Sequence, residues 1–283
     1  MSESLPHKPY QYKSHGHTKH VRRYHTITYA ASISQRIYSA LIAPVILIAI
    51  LGFLYIVAPS SHNLSSVSWQ GLFVSMGYTF SRLAIAYVLS LILAIPLALL
   101  ANSGPLAERI FLPVFDIVQS VPVLVFFPAI IVLFVALGST NAAAIFIIFL
   151  SMIWNIVFPV AGGLRLIPGD IKAAAYVFNI RGFKYFRRVL LPATFPYIVT
   201  GSLLAWAQGW NIIIVAEVIH TYIPNGAESQ DLPGIGSVLV HAATHADQPV
   251  FAAALIIVIG VIAAINLFVW QTLLRKTEKY RFE

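Results

Sequence analysis

The chain has 283 residues, 59% hydrophobic and 10% charged, with a net charge of +8. Soluble domains carry about 25% charged residues, so this composition excludes a soluble enzyme and predicts an all-α, polytopic membrane protein. The basic residues punctuate apolar runs and form no aromatic-lined groove, which excludes nucleic acid as a partner. Cysteine is absent, which excludes disulfides, thiolate catalysis and Cys-based metal sites.

Residues 1–36 read as a basic, disordered cytoplasmic tail, with Lys8, Lys13, Lys19, Arg22, Arg23 and Arg36. The stretch is too long for a signal peptide, and the apolar run after it is too long for that of a signal, so an uncleaved first helix is expected. The tail histidines His7, His15, His17, His20 and His25 fix no single face and have no carboxylate among them, so no metal is assigned to them. Residues 37–74 are expected to hold the first transmembrane helix and an outer loop. Residues 75–283 hold the main transmembrane domain, with a basic loop at 165–192.

Six apolar runs are long enough to cross a bilayer as helices of about 20 residues. They fall near 37–58, 83–101, 117–137, 142–161, 195–215 and 250–274, and none contains Lys, Arg, Asp or Glu. With both termini inside, seventeen of the 18 Lys and Arg residues lie on the cytoplasmic side, leaving only Arg82. The positive-inside rule therefore orients the chain with both termini in the cytoplasm.

Arg82 precedes the second run. Its charge favours snorkelling to the interface, with a place on a translocation path as the alternative. In the third run, Pro122 and Pro128 follow Asp116, Gln119 and Ser120. Two prolines there predict either a kinked packed helix or a broken helix lining a substrate path. In the fifth run, Gly201, Ser202, Ala205 and Gly209 form a stripe of small residues suited to close helix packing. Gln208, Asn211 and Glu217 are polar near or within that span and are expected to face protein or water. Arg82, Gln119, Pro122, Gln208, Asn211 and Glu217 are thus the candidate path residues.

The outer loop before the last run carries Glu217, Glu228, Asp231 and Asp247, and a short helix is expected over 234–245. His220, His241, His245, Glu217 and Asp247 are metal-ligating types, but only His241 and His245 share a helical spacing, so no metal is assigned. No catalytic motif, P-loop or cofactor motif occurs. If ATP drives this protein, another chain supplies the ATPase.

The basic loop has more grammar than a linker. Asp170 after Pro168-Gly169 suits an N-cap, an Ala-rich helix follows, and Asn179 suits its end. A second short helix is expected over about 181–190, before Pro192 opens the next span. Such a loop suits either a groove on another protein or an anionic lipid surface.

This loop resembles the E-A-A-x-x-x-G-x9-I-x-L-P signature of ABC importer permeases. Ala174 and Ala175 match the alanines, Val189 takes the Ile position, and Leu191-Pro192 match the end. Ala173 stands at the Glu position and Asn179 at the Gly position. The runs VQSVPVLVFFPAIIVLF, GGLRLIP and FRRVLLPATFPYIVTG resemble the nitrate, sulfonate and taurine branch, as do Ala216-Glu217, the GIGS loop and DQPVFAAALI. The resemblance implies a type I importer permease for a small solute, either an anion such as nitrate, sulfonate, taurine or bicarbonate or, as related permeases carry, a non-anionic one. It implies an ABC ATPase subunit, a second permease copy and an extracytoplasmic substrate-binding protein as partners. Asp170, Ala173, Ala174, Ala175, Asn179, Arg187 and Pro192 become the expected ATPase-coupling residues. An ion-coupled carrier would instead show intramembrane charges or an inverted repeat, and neither is evident in the sequence.

Overall fold

The computed structural model describes residues 67–278 apart from Pro224 and Asn225. The expected tail and first span lie outside the described residues. The described residues form helices and contain no strand. Four of their helices are long and apolar enough to cross a membrane, or five if one bent pair counts as a single span.

Helix α1 runs from Trp69 to Ala101, with Ser68 Oγ accepting from the Gly71 amide at 3.3 Å. At 33 residues it is about 50 Å long, against a hydrocarbon core of about 30 Å. It begins well before residue 83, so Arg82 lies inside the helix and not at its outer end. The apolar window at 83–101 missed this because charge, not helix propensity, had set its limit.

The expected third span is broken. Helix α2, Pro105–Ser120, and helix α3, Val123–Ala136, meet at a bend of 81°. Pro122 has no amide hydrogen to offer the ladder, and its ring disfavours helical geometry in the residue before it. Val121 is accordingly extended, at φ −76° and ψ 121°.

Helix α4, Thr140–Arg165, occupies the middle of the bundle and packs along α1 and along the long helix described next. After α5, Gly169–Val177, comes α6, Gly182–Glu217. Residues Phe186–Leu190 form a π turn inside α6, and the Leu191 amide donates to Phe186 O. The short second loop helix expected over 181–190 is therefore the start of the span itself. Pro192 has no N–H for a regular turn and its ring crowds the carbonyl four residues back, a conflict that a widened turn accommodates.

The stripe on α6 packs as its composition predicts. Gly201, Ser202, Ala205 and Gly209 are all buried. A Cβ on Gly201 would come within 2.8 Å of Asn155 O on α4. One on Gly209 would overlap Met152 of α4 and Leu83 of α1.

Helix α7 covers Ile235–Thr244, inside the expected 234–245. Helix α8 covers Gln248–Thr277 and holds a second π turn at Asn266–Trp270. Edge-on rings tie α8 to the bundle: Tyr87 of α1 lies 5.6 Å from Trp206 of α6 and 6.3 Å from Trp270 of α8. Such pairs add about 0.5–1.5 kcal/mol each beyond the area they bury. Large apolar side chains remain exposed on the outer faces, among them Phe73, Ile92, Val125 and Phe268. That is the surface of a molecule solvated by lipid or by another copy rather than by water.

Candidate functional site

The break between α2 and α3 opens a cleft of about 470 Å³ against α4 and α6. Its polar lining comes from Gln119, Ser151, Asn155 and Gln208, with Pro122 at the break itself and Trp154 beside it. None of its lining residues is Lys, Arg, Asp or Glu. The first turn of α3 also lines the cleft, and the N-terminus of a helix favours negative charge. Asn211, one turn beyond Gln208 on α6, is exposed on the face that also shows Leu204 and Ile214. Three of the candidate path residues thus meet at one cleft, and Asn211 continues their face.

Arg82 and Glu217 do not join that cleft. Arg82 Nη1 lies 2.7 Å from Glu217 Oε1, with the residues 3% and 0% exposed. Thr79 Oγ1 also donates to Oε1 at 2.7 Å, and the Gly236 amide donates to Oε2 at 2.8 Å. Arg82 donates further to Asn141 Oδ1 at 2.6 Å and to Pro233 O at 2.9 Å. The Ile235 amide completes the set, donating to Thr79 Oγ1 at 2.8 Å. A cation and an anion are tolerable in this core because their hydrogen-bonding capacity is met from four directions. This corrects the snorkelling expected of Arg82: the side chain turns inward and ties α1, the start of α4, the end of α6 and the start of α7 into one knot. A Cβ on Gly234 would overlap the Glu217 carboxylate, so the glycine run leading into α7 is what lets the backbone close over it.

The basic loop presents a different surface. Helix α5 has Asp170 in its first turn and Pro168 at the N-cap position, with no side-chain cap. Asp170 is therefore not the cap that was expected; it is the second residue of the helix, where its charge still suits the helix dipole. The other end follows expectation. Asn179 has φ 51°, its amide donates to Tyr176 O at 3.0 Å, and the Ile180 amide donates to Ala175 O at 2.9 Å. This is a Schellman closure with Asn in the left-handed position usually given to Gly. Ala175 is buried, whereas Ala173, Ala174 and Arg187 are exposed and Pro192 is half-buried. Tyr176, Val177, Phe178 and Phe183 are each more than 70% exposed, and the Arg181 guanidinium lies 5.3 Å over the Tyr176 ring. The loop thus offers a mixed aromatic and basic surface at one end of the molecule.

At the other end of α6, His220, Asp231 and His241 converge. The Asp231 carboxylate is 2.8 Å from His220 Nδ1 and 2.8 Å from His241 Nε2, and its Oδ1 accepts from the His220 amide at 2.9 Å. Burial pushes the Asp231 carboxyl up, but the bonds from the His220 amide and from the rings of His241 and His220 outweigh it and hold it below its ordinary value. His220, His241, His245, Glu217 and Asp247 do not assemble into one group. Glu217 is in the knot, Asp247 caps α8 through the Val250 amide, and the His245 ring bonds back to His241 O. Asp231 was not in that group; only the closing of the loop, through the Leu232 amide on Glu217 O at 3.0 Å, brings it to the histidines.

Residues 90–276 match the family model described as "Binding-protein-dependent transport system inner membrane component". The chain is 35% identical over 150 residues to a nitrate import permease protein of Leptolyngbya laminosa, covering 53% of each chain. It is 32% identical over 154 residues to a bicarbonate transport system permease protein of Synechocystis sp., covering 54% of each. A probable ABC transporter permease protein of Brucella melitensis is 28% identical over 165 residues, 56% of this chain and 66% of that one. The chain spans about half the length of the first two of these relatives in its match. The family match takes in the cleft, the basic loop, the last third of α1 and nearly all of α2 through α8. On that match, the chain belongs to the family of inner-membrane components of binding-protein-dependent transport systems.

Proposed function

We propose that the chain is the membrane-spanning permease subunit of an ATP-driven importer for a small anion of the nitrate or bicarbonate kind. The family match over residues 90–276 carries this reading, and the similarity to nitrate and bicarbonate permeases supports the substrate class. The cleft adds physical support: Gln119, Ser151, Asn155 and Gln208 bring polar groups into a mainly apolar lining, no acidic side chain lines it, and the first turn of α3 borders it. A path needs weak, dispersed attraction rather than a fixed countercharge, because the solute must also leave.

Gln119, Pro122, Gln208 and Asn211 border the path, and a second permease copy closes it from the exposed face of α6. Arg82 and Glu217 act as a brace beside it. The loop at 165–192 docks in a separate ABC ATPase subunit, which hydrolyses the ATP. Ala173, Ala174 and Arg187 face that subunit, while Asp170, Ala175, Asn179 and Pro192 set the shape of the loop. Both termini and this loop lie in the cytoplasm. A substrate-binding protein docks on the outer face, at the end of the molecule that carries α7.

The test is reconstitution of the chain with its ATPase and binding protein in vesicles. Nitrate or bicarbonate, presented with the binding protein, is expected to raise both ATP hydrolysis and anion uptake. Ala174→Asp puts a desolvated charge on the docking face and is expected to reduce that stimulation at least about tenfold, a coupling loss of about 1.4 kcal/mol. Hydrolysis that ignores binding protein and anion alike would reject the reading.

A further inference from the structure

The outer loop holds a cluster that the transport reading leaves unused. His220 comes from the turn that follows α6, His241 from α7, and Asp231 from the loop between them. One ligand atom from each lies within 4.8 Å of the others. The Asp231 side chain is 2% exposed, while the two imidazoles are 21% and 33% exposed. The carboxylate is thus a fixed base at the bottom of the cluster, and the rings form its open rim.

We propose that His220, Asp231 and His241 form a binding site for a divalent transition-metal ion of the zinc class on the outer face of the protein. Two imidazoles and one carboxylate are borderline ligands that suit zinc, cobalt or nickel; calcium and magnesium favour all-oxygen sites. Ligand atoms around a tetrahedral zinc sit roughly 3.3 Å apart, given bond lengths of about 2.0–2.1 Å. The two nitrogens here each stand 2.8 Å from the carboxylate and within 4.8 Å of one another, so the ion is admitted when each nitrogen backs away from the carboxylate by about half an ångström and the two rings close on each other by up to about 1.5 Å. Coordination through His220 Nδ1 and His241 Nε2 needs the lone pairs of those atoms. The N–H that each of these atoms offers Asp231 gives way to the metal, with any remaining ring proton on the other nitrogen. The His220 amide keeps its bond to the carboxylate and holds it in place, the supporting role such ligands require. The fourth position faces solvent and takes water.

The three ligands are 10 to 21 residues apart in sequence, so the site exists only when the loop is folded. Binding therefore cross-links the end of α6 to α7 and stabilises the loop between them. The solute that the protein carries plays no part in this.

The experiment uses the full chain in nanodiscs, stripped with chelator and titrated with zinc chloride. The tail histidines can also bind zinc, so the count is read as a difference between proteins and the location by hydrogen exchange. Native chain is expected to bind one more zinc per chain than His241→Gln or His220→Asn, both of which retain an N–H donor for Asp231. Zinc is expected to slow exchange across 218–245 at least about tenfold in the native chain and not in either variant, since even losing a ligand's supporting partner costs 10–100-fold in affinity. Magnesium is expected to do neither. An equal zinc count in all three proteins, or zinc protection of 218–245 that survives in both variants, would overturn the site. Without zinc, exchange in the variants is expected to match the native chain, which separates loss of a ligand from loss of fold.

Discussion

Arg82 and Glu217 show how far a single pair of charges can decide local architecture. Each is buried, and each is bonded to groups from helices distant in sequence. Removing one partner of such a pair costs about 3–5 kcal/mol, because the other is left buried and uncompensated. Arg82→Met is therefore expected to lower the thermal unfolding midpoint of the detergent-purified chain. Arg82→Met with Glu217→Leu is expected to recover most of that loss, and a native midpoint for Arg82→Met alone would remove the brace. Asp231 makes a second prediction, in pH. Its folded-state value is lowered from the ordinary 3.8, so its contribution is present above the ordinary carboxylate range and lost as pH falls through the folded value. The stability gap between native and Asp231→Asn is thus expected to hold at neutral pH and to shrink below about pH 4. Neither pairing could be read from the chain. The residues of the first are 135 apart in sequence, and nothing in a charge count says that Arg82 turns inward. Asn179 was legible because its role is local: a left-handed residue after an Ala-rich helix needs no distant partner.

Among the elements, the long apolar helices were legible because lipid imposes one requirement along the whole segment. Their ends were not, since a helix can run on through a charge that closes the apolar window, as α1 does at Arg82. The proline-rich third run carried a true signal with two physical outcomes, a kink or a break, and the fold takes the second, an 81° bend with Val121 extended before Pro122. Pro122→Ala restores the missing amide and relieves Val121, so it is expected to straighten the junction. Spin labels on α2 and α3 are expected to move apart, and anion uptake to fall, in Pro122→Ala; an unchanged label distance would assign the break to packing alone. The second loop helix was mistaken for a separate unit because Pro192 looks like a start signal. In α6 it instead sits just beyond a π turn that carries the helix on.

For the whole molecule, the basic residues make orientation the most exposed prediction. The chain has no cysteine, so Lys184→Cys introduces a single reactive thiol in the basic loop. An impermeant maleimide is expected to leave it unlabelled in intact cells and to label it after permeabilisation. Labelling in intact cells would invert the topology. The continuity of α6 has a mechanical consequence. Its 36 residues make a rod about 54 Å long, with the aromatic and basic loop at one tip and the Arg82–Glu217 knot at the other. A rod that pivots near its middle works as a lever: a tilt of about 5° would swing each tip by about 2 Å, in opposite directions. The π turn near the loop acts as a compliant joint in that lever, and the knot passes the swing of the far tip on to α1, α4 and α7. Stiffness, rather than any chain of contacts, is then what carries a push on one face of the membrane to the other.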